Sequence, residues 1–123
     1  MCVCREIKIL KHTVVLKQNY EFRRLYAKGL SASTSLIVLY CRKTGRPYNR
    51  VGYTVSKKIG KAVVRNRIRR RFREIYRLHE PELTCGYDLI VVARGRAAGA
   101  EYRQLDRDFI HLAKKLHLWE NPA

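Results

Sequence analysis

Eight basic side chains fall within the eighteen residues GKAVVRNRIRRRFREIYR (60–77), and seven of them are arginine. A guanidinium is a planar fork that grips two phosphate oxygens at once. This density of forks points to a polyanionic partner rather than to bond-making by the protein. Apolar Val64, Ile68, Phe72 and Ile75 are threaded through the run. At about 100° per residue they fall within about 80° of arc, a compact stripe for a core. Arg65, Arg69 and Arg73 climb one flank, Arg67 and Arg71 the other, while Arg70 and Arg77 face directly away. Like charges one turn apart repel, so such a helix is more comfortable once counter-charge arrives.

No residue set suggests that the chain itself breaks bonds. Two-metal phosphodiester chemistry needs converging carboxylates. Asp106 and Asp108 stand two apart on a helical pattern and diverge, and Asp88 is alone in a strand-like run. No His, Lys or Ser sits in a recognisable nucleophile arrangement. Cys2 and Cys4 form C-x-C, not the C-x-x-C of zinc ribbons or redox motifs, and Cys41 and Cys85 lie far from them. His12, His79, His111 and His117 complete no ligand pattern. Reduced thiols and no protein-held metal are expected.

The charge is also unevenly placed. The chain of 123 residues carries a formal +17. Residues 41–80 hold fourteen basic and two acidic groups, whereas residues 81–123 hold six of each. A concentrated excess of this kind is the electrostatic footprint of a nucleic-acid binder and exceeds what solubility asks for. An anionic membrane also attracts cations, but a surface helix there turns a broad apolar face to lipid, and here the stripe is needed for a core. No apolar run approaches the roughly 20 residues that span a bilayer. The start, MCVCREIKIL, lacks the layout of a signal peptide, so a cytoplasmic protein is expected.

The elements that must hold these residues follow from pattern. One domain over 1–123 is expected, with an ordered core at about 16–118 and a mixed lead-in over 1–17. Asn19 can cap a short helix over 20–28, which Gly29 ends. SLIVLYCR (35–42) and RVGYTVS (50–56) read as strands joined by the turn cluster TGRPYN, and a hairpin pairing between them is expected. The basic helix spans about 61–78. YDLIVVAR (87–94) is a third strand, apolar enough to be buried on both faces. Tyr102, Leu105, Phe109, Leu112 and Leu116 set a last helix over 101–118. The order α-β-β-α-β-α predicts an α+β domain, a short sheet packed by three helices with one β-α-β crossover.

Three aromatics are candidates for stacking on bases. Phe22 and Tyr26 lie one turn apart on one side of the first helix. Tyr40 shares a strand face with Leu36 and Val38, while Ile37, Leu39 and Cys41 point the other way. One face must meet helices. The other can serve as a floor for single-stranded nucleotides, where a stacked base contributes about 1–3 kcal/mol. Pattern alone assigns the three aromatics to ordinary core more readily. It also leaves DNA open, although no second helix precedes the basic one as in a helix-turn-helix, and A-form RNA is met at phosphates and unstacked bases.

The stretch VGYTVSKKIGKAVVRNRIRRRFREIYR (51–77) resembles the signature of the bacterial ribonuclease P protein component. Arg65, Asn66 and Arg67 supply its R-N-R, and Ser56, Lys57, Lys58, Gly60, Ala62 and Val63 its lead-in. LKQNYEFRRLYAKG (16–29) and GYDLIVVAR (86–94) are similar to that family's first helix and last strand, so the likeness covers about 16–116. The resemblance implies a protein subunit of ribonuclease P that binds a catalytic RNA and the 5′ leader of precursor tRNA. That RNA would bind the Mg2+ ions and cut the leader to give the mature 5′ end, with no catalytic residue in the protein and no obligatory protein partner. It implies that Lys58, Lys61, Arg65, Asn66, Arg67, Arg69, Arg70 and Arg73 face the catalytic RNA. It implies that Phe22, Tyr26 and Tyr40 line a leader cleft with Lys57 and Arg94 at its edge. It also implies a left-handed crossover, against the general preference for the right-handed form. Two features depart from the family pattern. MCVCREIKILKHT is not the expected short basic lead-in, and Tyr26 stands where Phe is frequent.

Competing classes remain at this level. A ribosomal RNA-binding protein shares the charge and the small sheet. A DNA-binding regulator would prefer duplex DNA. A protein-only nuclease would keep its activity after RNA is removed.

Overall fold

The computed structural model describes residues 13–15, 19–84 and 86–119. These residues form an α+β domain of one five-stranded sheet and three helices. The elements in chain order are β1 (Thr13–Val15), α1 (Asn19–Lys28), β2 (Leu30–Ser33), β3 (Ile37–Lys43), β4 (Asn49–Thr54), α2 (Ala62–His79), β5 (Tyr87–Ala93) and α3 (Tyr102–Lys115). Short 3-10 turns at Lys57–Ile59, Glu80–Glu82 and Gly95–Gly99 join them. Cys2, Cys4, Cys85 and the side chain of the expected cap Asn19 lie outside the described residues and side chains.

The sheet order is β1-β4-β5-β3-β2. β5 runs antiparallel to β3 and parallel to β4, so β4, α2 and β5 form the expected crossover. The expected hairpin between β3 and β4 does not form, because β5 lies between them. Leu89, Ile90 and Val91 are all buried, and a strand apolar on both faces gains most at the centre. The turn cluster instead carries the chain across the start of β5. Thr44 donates from its backbone N (2.7 Å) and its hydroxyl (3.0 Å) to the carbonyl of Gly86. Gly86 has φ +91, and a Cβ there would meet the Arg46 carbonyl oxygen at 2.9 Å, so the crossing needs glycine.

Two further strands have no counterpart in the pattern-based reading. β1 pairs with β4 inside what reads as a lead-in, and β2 forms the other edge with the sequence LSAS. Three residues and a run of Ser and Ala carry almost no strand signal of their own. Their place comes from the register offered by β4 and β3.

The two sheet faces divide the labour. Ile37, Leu39, Cys41, Val51, Leu89 and Val91 meet Ile68, Phe72, Ile75 and Tyr76 of α2 and Leu105, Phe109 and Leu112 of α3 in the main core. Leu25 of α1 and Ile90 form a second, smaller core on the opposite face, with Phe22, Tyr40 and Val92 against it. Polar ties fix α2 to the rest. Buried Asn49 donates to the Tyr76 hydroxyl (3.3 Å) and accepts from the Tyr87 backbone N (2.9 Å), joining β4, α2 and β5. His79 and Asp106 meet at 2.6 Å between α2 and α3.

Candidate nucleic-acid interface

α2 forms because its apolar residues recur at helical spacing and its interior contains neither Gly nor Pro. Ile68, Phe72 and Ile75 are buried and Val64 packs partly against them, as the stripe predicts. Tyr76 joins them, which the pattern did not single out. The cations divide into two groups. Arg65 bends back so that its Nε donates to the Gly60 carbonyl (3.2 Å), and Arg71 donates to the Ala100 carbonyl (3.0 Å). Arg69 donates to the Asn66 side chain (2.8 Å), and the half-buried Arg67 keeps an Nε with no partner. Arg70, Arg73 and Asn66 are exposed, as are Lys57, Lys58 and Lys61 ahead of the helix. Of the arginines of this helix, Arg77 pairs with a carboxylate, Glu74 at 2.6 Å. That bond holds Glu74 below the usual carboxylate range. Arg70 and Arg73 of the ridge have no carboxylate partner among the described residues.

The sheet face under α1 carries the aromatics. Cross-strand neighbours form rows: Tyr40, Ile90 and Gly52 in one, Val38, Val92 and Thr54 in the next. Ring centroids of Phe22 and Tyr26 lie 6.5 Å apart, and those of Tyr26 and Tyr40 lie 4.9 Å apart in an edge-on contact. The Tyr26 hydroxyl meets Thr54 Oγ1 at 3.0 Å, tying α1 to β4. Tyr26 is 40% exposed, and Phe22 and Tyr40 are half-buried. Phe22, Arg23, Tyr26, Tyr53 and Thr54 line an open hollow of about 550 Å³. The three aromatics therefore meet and remain reachable, so neither pure core nor pure surface describes them. Lys57 follows the end of β4 and Arg94 the end of β5, both exposed at one end of this face. Arg94 donates to the Thr34 carbonyl (3.1 Å), which holds it beside the hollow formed with Ser35 and Arg96.

Several of the described carboxylates are engaged in bonds within the chain. Asp88 is held by Arg50 at 2.7 Å and 2.9 Å, Asp106 by His79, and Glu101 caps α3 with Gln104. Burial pushes the Cys41 thiol up to about 11, so it stays protonated and unreactive near neutral pH.

Fold and surface together define a class: a small α+β domain with a cationic helix on one side of a sheet and a shallow aromatic groove on the other. Comparison with known proteins makes the class specific. The family model described as Ribonuclease P matches residues 10–117. The ribonuclease P protein component of Natranaerobius thermophilus is 46% identical over 89% of this chain and 95% of its own length. That of Caldanaerobacter subterraneus subsp. tengcongensis is 45% identical over 85% of this chain and 90% of its own. Among solved structures, the Staphylococcus aureus RNase P protein superposes with a TM-score of 0.77 at 33% identity, covering 85% of this chain and 96% of that one. The Thermotoga maritima protein gives 0.75 at 28% identity, covering 81% and 94%. The chain belongs to the ribonuclease P protein family.

Proposed function

We propose that the chain is the RNA-positioning subunit of ribonuclease P and divides two RNA contacts between the two sides of its sheet. The ridge of α2, with Lys58, Lys61, Asn66, Arg70 and Arg73 outermost, docks on the catalytic RNA. The groove of Phe22, Tyr26 and Tyr40 holds the single-stranded 5′ leader of precursor tRNA, with Lys57 and Arg94 on its phosphates. The observation that carries this reading is the open groove whose aromatics sit on the sheet face opposite the cationic helix.

Hydrolysis of the leader bond is assigned to the catalytic RNA, and the Mg2+ ions with it. In support, the described carboxylates named above are occupied by Arg50, His79, Arg77 and a helix cap. The protein's contribution is to neutralise crowded phosphates and to orient the strand next to the cut. Arg65 and Arg71 serve this indirectly, since their bonds to backbone carbonyls brace α2 against its flanking turns.

Reconstitution with the host's catalytic RNA and a precursor tRNA tests the proposal. The protein should lower the magnesium needed for cleavage and favour precursor over mature tRNA. Equal binding of tRNAs with and without a leader would rule out the groove's role. Copurification with ribosomes and no effect on processing would favour a ribosomal role.

A further inference from the structure

By count, residues 81–123 are neutral, with six basic and six acidic side chains. The fold separates those charges. Arg50 binds Asp88 on the sheet face under α1, and His79 binds Asp106 between α2 and α3. Arg96 and Arg107 are exposed, and no hydrogen bond or ion pair among the described residues engages either. They come together where the Gly95–Gly99 turn, the start of α3 and the turn between β2 and β3 meet. Ser35, Arg96, Ala100, Gln104, Arg107 and Asp108 line a hollow there of about 360 Å³. Ser35 and Arg96 also line the hollow beside Arg94, about 540 Å³, so the two run together. Three guanidinium groups thus border one half-buried carboxylate, Asp108.

This surface lies on the side of the sheet that carries α2. Ala100 is buried in the main core with residues of α2 and α3. Its carbonyl accepts from Arg71 of α2 at 3.0 Å, which brings the flank of the cationic helix to the rim of the hollow. The aromatic groove lies on the opposite face. The first turn of α3 is closed by its own capping box, with Gln104 Oε1 accepting from the Glu101 backbone N at 2.9 Å. What the hollow offers a ligand is therefore side-chain chemistry: guanidinium forks, the Ser35 hydroxyl and the Gln104 amide N–H groups. These donors suit phosphate oxygens and 2′-hydroxyls, where structured RNA is met.

We propose that Arg96 and Arg107 form a second docking seat for the backbone of the catalytic RNA, continuing the ridge of α2 across the Gly95–Gly99 turn onto α3. The proposal rests on the reading of α2 given above. The seat adds affinity and fixes how the domain is rotated about α2, because two separate contacts define an orientation that one helix alone leaves open. It reads no base sequence, since backbone contacts position without specifying.

The test measures assembly of the full-length protein with the host's catalytic RNA. Arg96→Ala/Arg107→Ala should bind about tenfold more weakly. Its slope of log K against log salt should flatten by about 0.7–0.9 for each lost cation. Arg96→Lys/Arg107→Lys should restore the slope, which separates a charge contact from a packing role. Asp108→Asn removes the one acid of the hollow and should tighten assembly by about twofold, the size of an exposed charge term. Preference for precursor over mature tRNA should be unchanged in all three variants. A photoreactive benzoylphenylalanine in place of Arg103, which is 89% exposed one turn before Arg107, should crosslink to the catalytic RNA in the holoenzyme. Wild-type assembly by the double alanine variant, with melting curves showing it folded, would overturn the proposal. So would crosslinks to precursor tRNA alone, or loss of precursor preference with assembly intact, since both place the substrate at the hollow. Failure of the wild-type protein to bind the catalytic RNA would instead overturn the reading of α2, a separate and recognisable outcome.

Discussion

At the residue scale, the two sides of the sheet make different physical demands on substitution. Phe22→Ala removes a stacking surface and no charge. Leader affinity should fall by about 1–3 kcal/mol while the salt slope is kept. Arg70→Ala removes an exposed cation that has no acidic partner among the described residues. Affinity for the catalytic RNA should fall, and the slope of log K against log salt should flatten by about 0.7–0.9. Arg70 is a cleaner probe than Arg65, whose Nε is committed to the Gly60 carbonyl, so Arg65→Ala should also loosen the start of α2. Titration of binding against salt separates these cases, and identical behaviour of Phe22→Ala and Arg70→Ala would sink the division of labour. Cys41 allows a test of the core. Its thiol is raised by burial to about 11 from an ordinary value of 9.0. The unfolded chain loses that proton first, so between pH 9 and 11 the unfolded state binds fewer protons and stability falls as pH rises. In urea unfolding, the slope of stability against pH in that window should be shallower for Cys41→Ala than for wild type.

At the element scale, α2 is held on one stripe, and the interface depends on it. Phe72 packs in the main core with its ring 6.4 Å from that of Tyr53. Phe72→Ala should cost about 3–5 kcal/mol, a large share of the ~5–15 kcal/mol that holds a domain together. Thermal melting should show it directly, and RNA affinity should recover where temperature is low enough to keep the fold. Gly29 is a second weak point, since a Cβ there would meet the backbone carbonyl oxygens of Leu25 at 2.7 Å and Cys41 at 2.9 Å. Such helix and strand constraints were partly legible beforehand. The stripe at Val64, Ile68, Phe72 and Ile75 and the alternation of Ile37, Leu39 and Cys41 against Tyr40 are local periodicities, and both appear in the fold. The pairing of strands is not local. The insertion of β5 between β3 and β4 depends on contacts with Gly86, some forty positions from Thr44. Pattern alone showed Phe22 and Tyr26 as a pair and Tyr40 as a lone ring, and only the family resemblance grouped them, because α1 meets the sheet through Leu25 against Ile90 of β5. The bonds of Arg65 and Arg71 to backbone carbonyls carry no sequence signal at all.

At the scale of the whole molecule, the +17 charge sets stability and binding against each other. Self-repulsion among unpaired cations opposes the compact state, and salt screens it within a Debye length of about 10 Å at 0.1 M. The same salt removes the entropic gain of releasing counterions from RNA. Raising sodium chloride should therefore raise the melting temperature of the free protein while lowering its affinity for the catalytic RNA. Glu74 and Arg77 contribute little to either trend, since their pair is exposed and screened by solvent and salt. The Arg50–Asp88 pair is nearly dry and should resist screening, so Asp88→Asn should destabilise the fold at every salt concentration. Melting curves and binding isotherms collected over one salt series decide the matter. If melting temperature falls along with affinity, the surface cations are stabilised by attraction within the chain rather than held apart for a polyanion, and the interface assigned to α2 fails.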